Sequence, residues 1–557
     1  MTDQAFLVDS FVLYKSHPAK IINIGEKIDI LIDNGKRKKV RPKDIFLLHP
    51  GPIIDFDLKV ENGNVEEAWD LLQGESPNIE DLAVLIFGDF SPKSAWSAWK
   101  LIEEGLYFSG SVNAIIVNNP EVLSEKIFAR ERKKKDLESW LSFKNNVENS
   151  ELNGQDRNRL LEVEKFALNH SEGSNILRKL EIKESIEAAH KFLIDCGYWK
   201  LEKDPWPERS GIDLDVIDLK VPKSTKNDQI DLTRLEAYAI DDKSTKDPDD
   251  AISVDGDYVW VHVADVSALV SPESEIDLVA RKRCSNLYLP NFTRYMLPED
   301  ITNEVALGLK PISSALSIGF LFDGKNFKDI QIFPSKVRVV RETYDSVDKK
   351  ISDEPFASLL KLTSIYQKNR EMRGAISLEF PEVSVKAFED NVEVKPISKG
   401  PSHKIVTNAM IMAGEAIAIF AKNKNLPIPY VAQEEPEQII QPKTLSEMYT
   451  YRRSLRPSRT GIKIDRHFGL GLDMYCRSTS PLRRYSDLLV HQQLRAYLTG
   501  KTPLSEEEMN DRVLQIDSLN NTVRRVERQS NTHFKLIYLL QKKHAKYEAV
   551  IIGFDDR

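Results

Sequence analysis

Cysteine is nearly absent from this chain. Three occur in 557 residues, Cys196, Cys284 and Cys476, far apart. That excludes a disulfide framework, leaves no Cys-only zinc motif, and fits a reducing, cytoplasmic setting. Long apolar runs are missing too. No stretch approaches the roughly 20 residues of a membrane-crossing helix, so no membrane partner is expected. The opening MTDQAFLVDSFVLY has no basic region followed by an apolar segment and does not read as a signal peptide. Internal repeats and low-complexity tracts are lacking. So is a surplus of positive charge: 78 Lys+Arg against 86 Asp+Glu leaves -8. That total argues against a protein that coats nucleic acid non-specifically, but it is silent on a basic cleft inside an acidic shell. What remains is 41% hydrophobic and 29% charged, the profile of a globular chain with a sizeable core. Its length predicts three or four domains.

Residues 1–55 read as a small β-barrel. AKIINIG, KIDILID and KKVRPKDIFLL alternate partly, and Asn34-Gly35 is a strong hairpin signal. The basic run Lys36, Arg37, Lys38, Lys39, Arg41 and Lys43 beside it is either a solvated turn or an RNA-facing patch. Residues 56–205 show helix-period apolar spacing, with Ser91-Pro92 and Asn119-Pro120 as helix starts. Short helices followed by β-like pieces such as SVNAIIVN predict winged-helix-like units. DPWPERSG, residues 204–211, reads as a linker. From 212 to 540 the chain reads as one mixed unit, strands first and longer helices after. The fold class expected is a multidomain α+β chain: a large mixed α/β catalytic domain preceded by a small β-barrel and winged-helix-like helical units.

The densest chemical signal is AIDDKSTKDPDDAISV, residues 239–254. A strand-like segment ends near Ile240. Asp241 and Asp242 follow, then Asp247, Asp249 and Asp250 after a short polar loop, and a strand restarts at Ala251. Pro248 stiffens the approach and biases Asp247 towards extended backbone. Carboxylates this close repel one another, so either their pKa values rise or a cation neutralises them. Magnesium favours oxygen ligands and keeps water and substrate phosphate in its shell. Two such ions would polarise a phosphodiester and stabilise its leaving oxygen. The offsets of a calcium hand are missing. On spacing alone, an acidic surface loop explains the cluster equally well.

A second constellation is basic. Residues 451–530 hold 15 Lys/Arg against 9 Asp/Glu, including Arg477, Arg483, Arg484, Arg524, Arg525 and Arg528. Such a region can position phosphates. In STSPLRRYSDLLVHQQL, Ser480 reads as an N-cap and Pro481 as the first helical residue. Arg483, Asp487 and His491 would then share one helix face. CSNLYLPNFTRYMLP supplies Tyr288, Phe292 and Tyr295, rings suited either to base stacking or to core packing. His262 reads as a strand-borne, hydrogen-bonded histidine with Asp265 as its partner.

Together these segments resemble the ribonuclease II/R family, the exoribonucleases with an RNB catalytic domain. The central element is an Asp followed six residues on by Asp-x-Asp-Asp, here Asp241, Asp247, Asp249 and Asp250. HVADVSALV, SEIDLVARKRCSNLYLP, MLPE, RGAISLEFPE, YRRSLRPSRTG and LGLDMYCRSTSPLRRYSDLLVH follow in the family's order, over roughly 225–535. The resemblance implies a processive 3′→5′ hydrolytic exoribonuclease. It would release nucleoside 5′-monophosphates from single-stranded RNA with magnesium, or manganese in its place, as a monomer and without a nucleotide cofactor. It assigns Asp241, Asp249 and Asp250 to metal and Asp247 to the support of the metal or its water. Arg483 would stabilise the transferring phosphate and Tyr288 would stack on the 3′-terminal base. Arg484, Glu527, Arg477 and Arg373 are assigned to RNA contacts.

The chain departs from the family in three places. Thr407 and Asn408 stand where the family has an acidic pair, and ALGL, residues 306–309, follows MLP in place of Cys-Ser-Leu. One small barrel replaces two cold-shock-type barrels. The family's closing S1-type barrel is represented over 541–557 only by a first strand, KYEAVIIGFDDR, too short for a five-stranded barrel. Two other readings stand beside the exonuclease: a catalytically inactive RNB-fold RNA-binding protein or scaffold, and a metal nuclease for structured RNA or DNA. A non-catalytic relative has no chemical need for four aspartates and Arg483.

Overall fold

The computed structural model describes residues 6–222, 229–389 and 391–553. The chain divides into two compact units, residues 1–157 and 158–557.

In the first unit, β1 (Phe11–Tyr14), β2 (His17–Ile24), β3 (Ile28–Ile32), β4 (Arg37–Val40) and β5 (Phe46–His49) form a sheet in the order β4-β3-β2-β1-β5. Asn34-Gly35 makes the expected turn, with Gly35 at φ +81°, a conformation that glycine adopts without steric cost. The predicted barrel is not closed: among the described residues, β4 and β5 do not pair. Arg37, Lys38 and Lys39 are exposed along β4, and three successive cations on an edge strand resist the addition of another strand. Next come α1 (Val65–Leu71), α2 (Ile79–Phe87), α3 (Pro92–Glu104), the hairpin β6 (Phe108–Ser111) and β7 (Ala114–Val117), and α4 (Pro120–Asn149). Ser91 and Asn119 cap α3 and α4 and the following prolines occupy the first turn, as their sequences predict. Phe11, Leu48, Leu82, Trp96, Phe108 and Ile115 share one core.

The division falls inside α5 (Gly154–Ala167), upstream of the boundary expected at 205–212. After α6 (Asn175–Lys179) and α7 (Ile186–Asp195), the supposed linker forms a short helix, α8 (Trp206–Arg209). It is not free. Trp206 packs on Leu289, Val523 and Val526, and the Ser530 hydroxyl donates to Asp204. Apolar burial therefore ties this stretch to the second unit.

The centre of that unit is a closed barrel of β8 (Ile230–Asp241), β9 (Asp250–Asp255), β10 (Tyr258–Ala264), β13 (Ser313–Phe322) and β14 (Phe327–Thr343), in the order β10-β13-β14-β8-β9. Between β10 and β13 lie α9 (Glu275–Arg283), the short pair β11 (Leu287–Tyr288) and β12 (Thr293–Arg294), and α10 (Glu299–Val305). Closure depends on one parallel pair, β14 with β8. Alternation along β10 sorts the side chains. Val259, Val261 and Val263 belong to one core cluster, and Trp260 and Ala264 to another. Trp260 reaches Phe333 on β14, two strands away, at 5.3 Å between ring centroids, so its face is the barrel's inside. Small residues make room for it: a Cβ on Gly319 would come within 2.4 Å of the Trp260 ring.

The outer valines pack against α12 (Phe356–Met372) and α13 (Pro401–Asn423), which follow α11 (Tyr344–Lys349) and flank the hairpin β15 (Glu382–Phe388) and β16 (Asn391–Ile397). α13 has the length and hydropathy of a membrane span, but it sits in the core, with Ile405, Ala409, Met412, Ala416 and Ile417 fully buried. The chain closes with β17 (Tyr430–Ala432), α14 (Leu445–Ser454), β18 (Arg459–Gly461), α15 (Tyr485–Leu498) and α16 (Glu506–Gln541). The strand expected in KYEAVIIGFDDR does not form among the described residues. Residues 546–553 are exposed, with no neighbouring strand to take their hydrogen bonds, and the last four lie outside the described residues.

Candidate active site

Asp241 ends β8 opposite Thr343, and Asp250 begins β9 opposite Val263. The barrel thus presents both ends of the acidic loop at one rim. The loop is fastened from outside. The Leu307 N–H donates to the Pro248 carbonyl at 3.0 Å and the Ala264 N–H to the Asp249 carbonyl at 2.8 Å. The Arg341 guanidinium donates to the Thr245 carbonyl at 2.7 Å.

Asp249 is 4% exposed and fully engaged. One carboxylate oxygen accepts the Leu482 N–H and the other the Arg483 Nε–H, each at 2.9 Å. Arg483 does not ride on a helix as predicted, because α15 starts only at Tyr485. Asp487 explains the delay. Its carboxylate accepts the Ser480 N–H at 2.9 Å and two N–H groups of Arg484 at 3.0 and 2.7 Å, stabilising a turn where the sequence suggested a first helical turn. Asp487 therefore pairs with Arg484, and Arg483 is left for Asp249. His491 is tied to the Ser478 carbonyl at 2.7 Å. The turn is stitched to the segment carrying Tyr288: the Asn286 N–H donates to the Arg483 carbonyl at 3.0 Å and the Tyr485 N–H to the Cys284 carbonyl at 2.8 Å.

Tyr288 is 43% exposed, and its backbone N–H donates to Glu527 Oε1 at 2.9 Å. The Asn286 amide donates to the Tyr288 hydroxyl at 3.2 Å and approaches Asp247 at 3.5 Å. Asn286 therefore joins the aromatic platform to the acidic loop. Sequence reasoning passed over it, and its only signal was its place two residues before Tyr288. Arg341 was missed as well, because a parallel β14–β8 pair leaves no local mark in sequence.

Electrostatics make this a costly place for negative charge. Burial pushes Asp249 and Asp250 up to about 7 and Asp241 up to about 6, and raises Asp247. Repulsion from Asp241 and Asp249 adds to the rise at Asp250, while Arg483 opposes the rise at all four. Burial, then Asp247, pushes the Tyr288 hydroxyl up to about 12. Burial also raises Glu527, against the pull of the Tyr288 N–H and Arg524.

Could these residues hold a hard divalent ion? Asp241 and Asp250 have neither hydrogen bond nor salt bridge to their carboxylates among the described residues, and they repel each other. Such oxygens suit magnesium, which completes its shell with water and phosphate. No cage of three or more ligands is preformed among the described residues. Asp249, with both oxygens taken, is placed to hold Arg483 rather than to lead the coordination. The donor chemistry fits, with Asp241 and Asp250 as its free members.

The remaining predicted contacts divide. Arg477 lies beside Arg484 and Arg524. Arg373 stands apart from the aspartates, 3.7 Å from Glu415, which accepts a 2.6 Å hydrogen bond from Tyr366. Asn408 accepts from Arg370 at 2.7 Å, a structural use of the position where the sequence departs from the family pattern. His262 does not pair with Asp265. It sits between the hydroxyls of Ser253 and Ser317 at 2.8 and 2.6 Å, while Asp265 takes Arg495 at 2.8 and 3.0 Å, because β10 points His262 into the barrel and Asp265 lies beyond the strand's end.

Residues 229–500 match the RNB domain, and residues 121–205 match the double HTH domain. An uncharacterized ribonuclease, sll1290 of Synechocystis sp., is 31% identical over 95% of this chain and 88% of its own length. The chloroplastic/mitochondrial ribonuclease II of Arabidopsis thaliana is 24% identical over 95% of this chain and 76% of its own. Among solved structures, an active-site mutant of the Dss1 exoribonuclease from Candida glabrata shares the fold, with a TM-score of 0.62 and 16% identity over 97% of this chain and 90% of that one.

Proposed function

The chain belongs to the RNB-domain ribonuclease II/R family of exoribonucleases, and from that premise we propose that it degrades single-stranded RNA processively from the 3′ end to nucleoside 5′-monophosphates, with magnesium. The observation that carries this reading is the junction of Asp249 with Arg483, which holds one guanidinium among four desolvated carboxylates. Fixed in this way, the Arg483 guanidinium is placed to meet a phosphate brought to the acidic loop and to neutralise the excess negative charge of its transition state. Burial works against the Arg483 charge, but Asp249, Tyr288 and Asp250 more than offset it, so the group stays protonated.

Each residue then has a task. The exposed Tyr288 ring stacks on the terminal base, and the bond from its backbone to Glu527 fixes the height of that platform. Asn286 keeps the ring and Asp247 at a constant spacing. Arg483 binds the scissile phosphate. Water adds to phosphorus, the bond to the 3′ oxygen breaks, and that oxygen takes a proton, leaving a nucleoside 5′-monophosphate and a strand shorter by one. Asp241 and Asp250 would hold magnesium, which supplies Lewis acidity at the phosphate and a more acidic water.

The test uses 5′-labelled and 3′-labelled single-stranded RNA, blunt and 3′-tailed duplex, and matching DNA, each with magnesium or chelator. Magnesium-dependent shortening of single-stranded RNA from its 3′ end is expected. Folded protein that binds this RNA without shortening it would establish the inactive RNB-fold reading instead. Faster attack on blunt duplex or DNA would move the substrate class.

A further inference from the structure

Arg483 and Arg484 are both matched by carboxylates, and two arginines of the neighbouring segments, Arg477 and Arg524, are not. Arg477 and Arg524 line a narrow polar cleft together with Ser486, Asn520, Thr460 and Asp517. Neither guanidinium makes a salt bridge or side-chain hydrogen bond among the described residues, Asp517 included. Burial, Arg484 and then Arg524 all work against the charge on Arg477, with Tyr475 and Asp487 in part offsetting them. Two cations held side by side with no carboxylate in salt-bridge contact repel each other, and an anion would reduce that cost.

The cleft's place in the fold is informative. Asp517, Asn520, Arg524 and Glu527 fall at helical spacing on one face of α16. Glu527 holds the Tyr288 backbone. Arg524 therefore lies three residues along α16 from the glutamate that holds the terminal-base platform, about 4.5 Å of rise. The space enclosed between the lining residues is small, about that of one water, which suits one non-bridging oxygen of a phosphodiester passing over the mouth better than a free mononucleotide.

We propose that Arg477 and Arg524 form a backbone clamp that takes one phosphodiester oxygen of the RNA strand upstream of the scissile linkage and so positions the strand behind the Tyr288 platform. The proposal rests on the exoribonuclease reading for its substrate class. The clamp binds and positions, and has no part in breaking the bond.

The experiment compares wild type with Arg477→Gln, Arg524→Gln and Arg524→Lys, each checked for unchanged melting. Binding to 3′-end single-stranded RNA is measured in chelator, so that no turnover is needed, over a series of salt concentrations. Turnover is measured separately in magnesium. In a set of RNAs, one neutral methylphosphonate is walked back from the 3′ end. The expected results are a roughly tenfold weaker Kd for each Gln variant with partial rescue by Lys, a salt slope lower by about 0.7 per lost contact, and a raised KM with kcat within twofold. One methylphosphonate position should weaken wild type and leave Arg477→Gln unchanged. Unaltered Kd and slope in both Gln variants would overturn the clamp, as would the absence of any sensitive linkage or an equal methylphosphonate effect in wild type and variants. Because the binding arm needs no cleavage, a protein that binds in this way but does not degrade RNA fails the function proposed above and not the clamp.

Discussion

Replacing Asp250 with Asn should make the metal-free protein more stable at neutral pH, and the size of the gain follows from the site. Asp250 has an ordinary carboxyl value of 3.8, raised to about 7 by burial and then by Asp241 and Asp249. A raised acid binds its proton more tightly in the folded state, so folding is favoured at low pH and loses free energy as pH climbs from about 4 to about 7. Above pH 7 the loss levels off at about 3 pKa units, or about 4 kcal/mol at 1.36 kcal/mol per unit. The neutral Asn pays none of it. With unfolding entropy of about 2.1 cal/mol/K per residue over a unit of 400 residues, that gain raises Tm by about 5 °C. The assay is thermal melting in chelator at pH 8 and pH 4. Asp250→Asn should melt higher than wild type at pH 8 and within about 1 °C of it at pH 4. Added magnesium should raise the wild-type Tm by mass action and leave the variant nearly unmoved. A variant no more stable than wild type at pH 8 in chelator, or equally stabilised by magnesium, would refute the argument that the site holds carboxylates at a cost.

Arg483→Ala should lower kcat by about 10²–10³-fold while RNA still binds, as read by single-turnover cleavage beside a chelator binding curve. Equal loss of binding and rate would remove its role in the transition state. Tyr288→Ala should shift the length of the final resistant fragment on a sequencing gel, and Glu527→Gln should do the same more weakly; unchanged fragments would count against the platform. Because protons and the cation compete for the carboxylates of Asp241 and Asp250, the magnesium concentration giving half-maximal rate should rise as pH falls from 8 to 6, through their values of about 6 and about 7. A flat requirement across that range would be inconsistent with the assignment.

Local chemistry was legible in the sequence, and long-range pairing was not. The spacing of Asp241, Asp247, Asp249 and Asp250, the Asn34-Gly35 turn and the caps at Ser91 and Asn119 all depend on residues a few positions apart, and each was readable. Arg483 and Arg484 are adjacent and chemically alike. Which one meets Asp249 was decided by Asp487, whose bonds to Ser480 and Arg484 delay α15, and a helical projection that starts at Ser480 cannot anticipate that. Closure of the barrel turns on the parallel β14–β8 pair, which is set by topology and leaves no local trace. His262 was read correctly as a hydrogen-bonded strand residue and given the wrong partner, because its serines come from β9 and β13. The strand read in KYEAVIIGFDDR has an apolar run, AVII, but an apolar run does not supply a neighbour.

The bonds of Asp249 span an unusual length of chain. Its acceptors are filled by Leu482 and Arg483, 233 and 234 residues downstream. At roughly 5–20 residues per second of synthesis, that gap lasts about 12 to 47 seconds. Through that interval the growing polypeptide carries the acidic loop without its guanidinium. A ribonuclease is translated from the very class of molecule it acts on, and Asp249 stays without these two partners until residues 482 and 483 have been made.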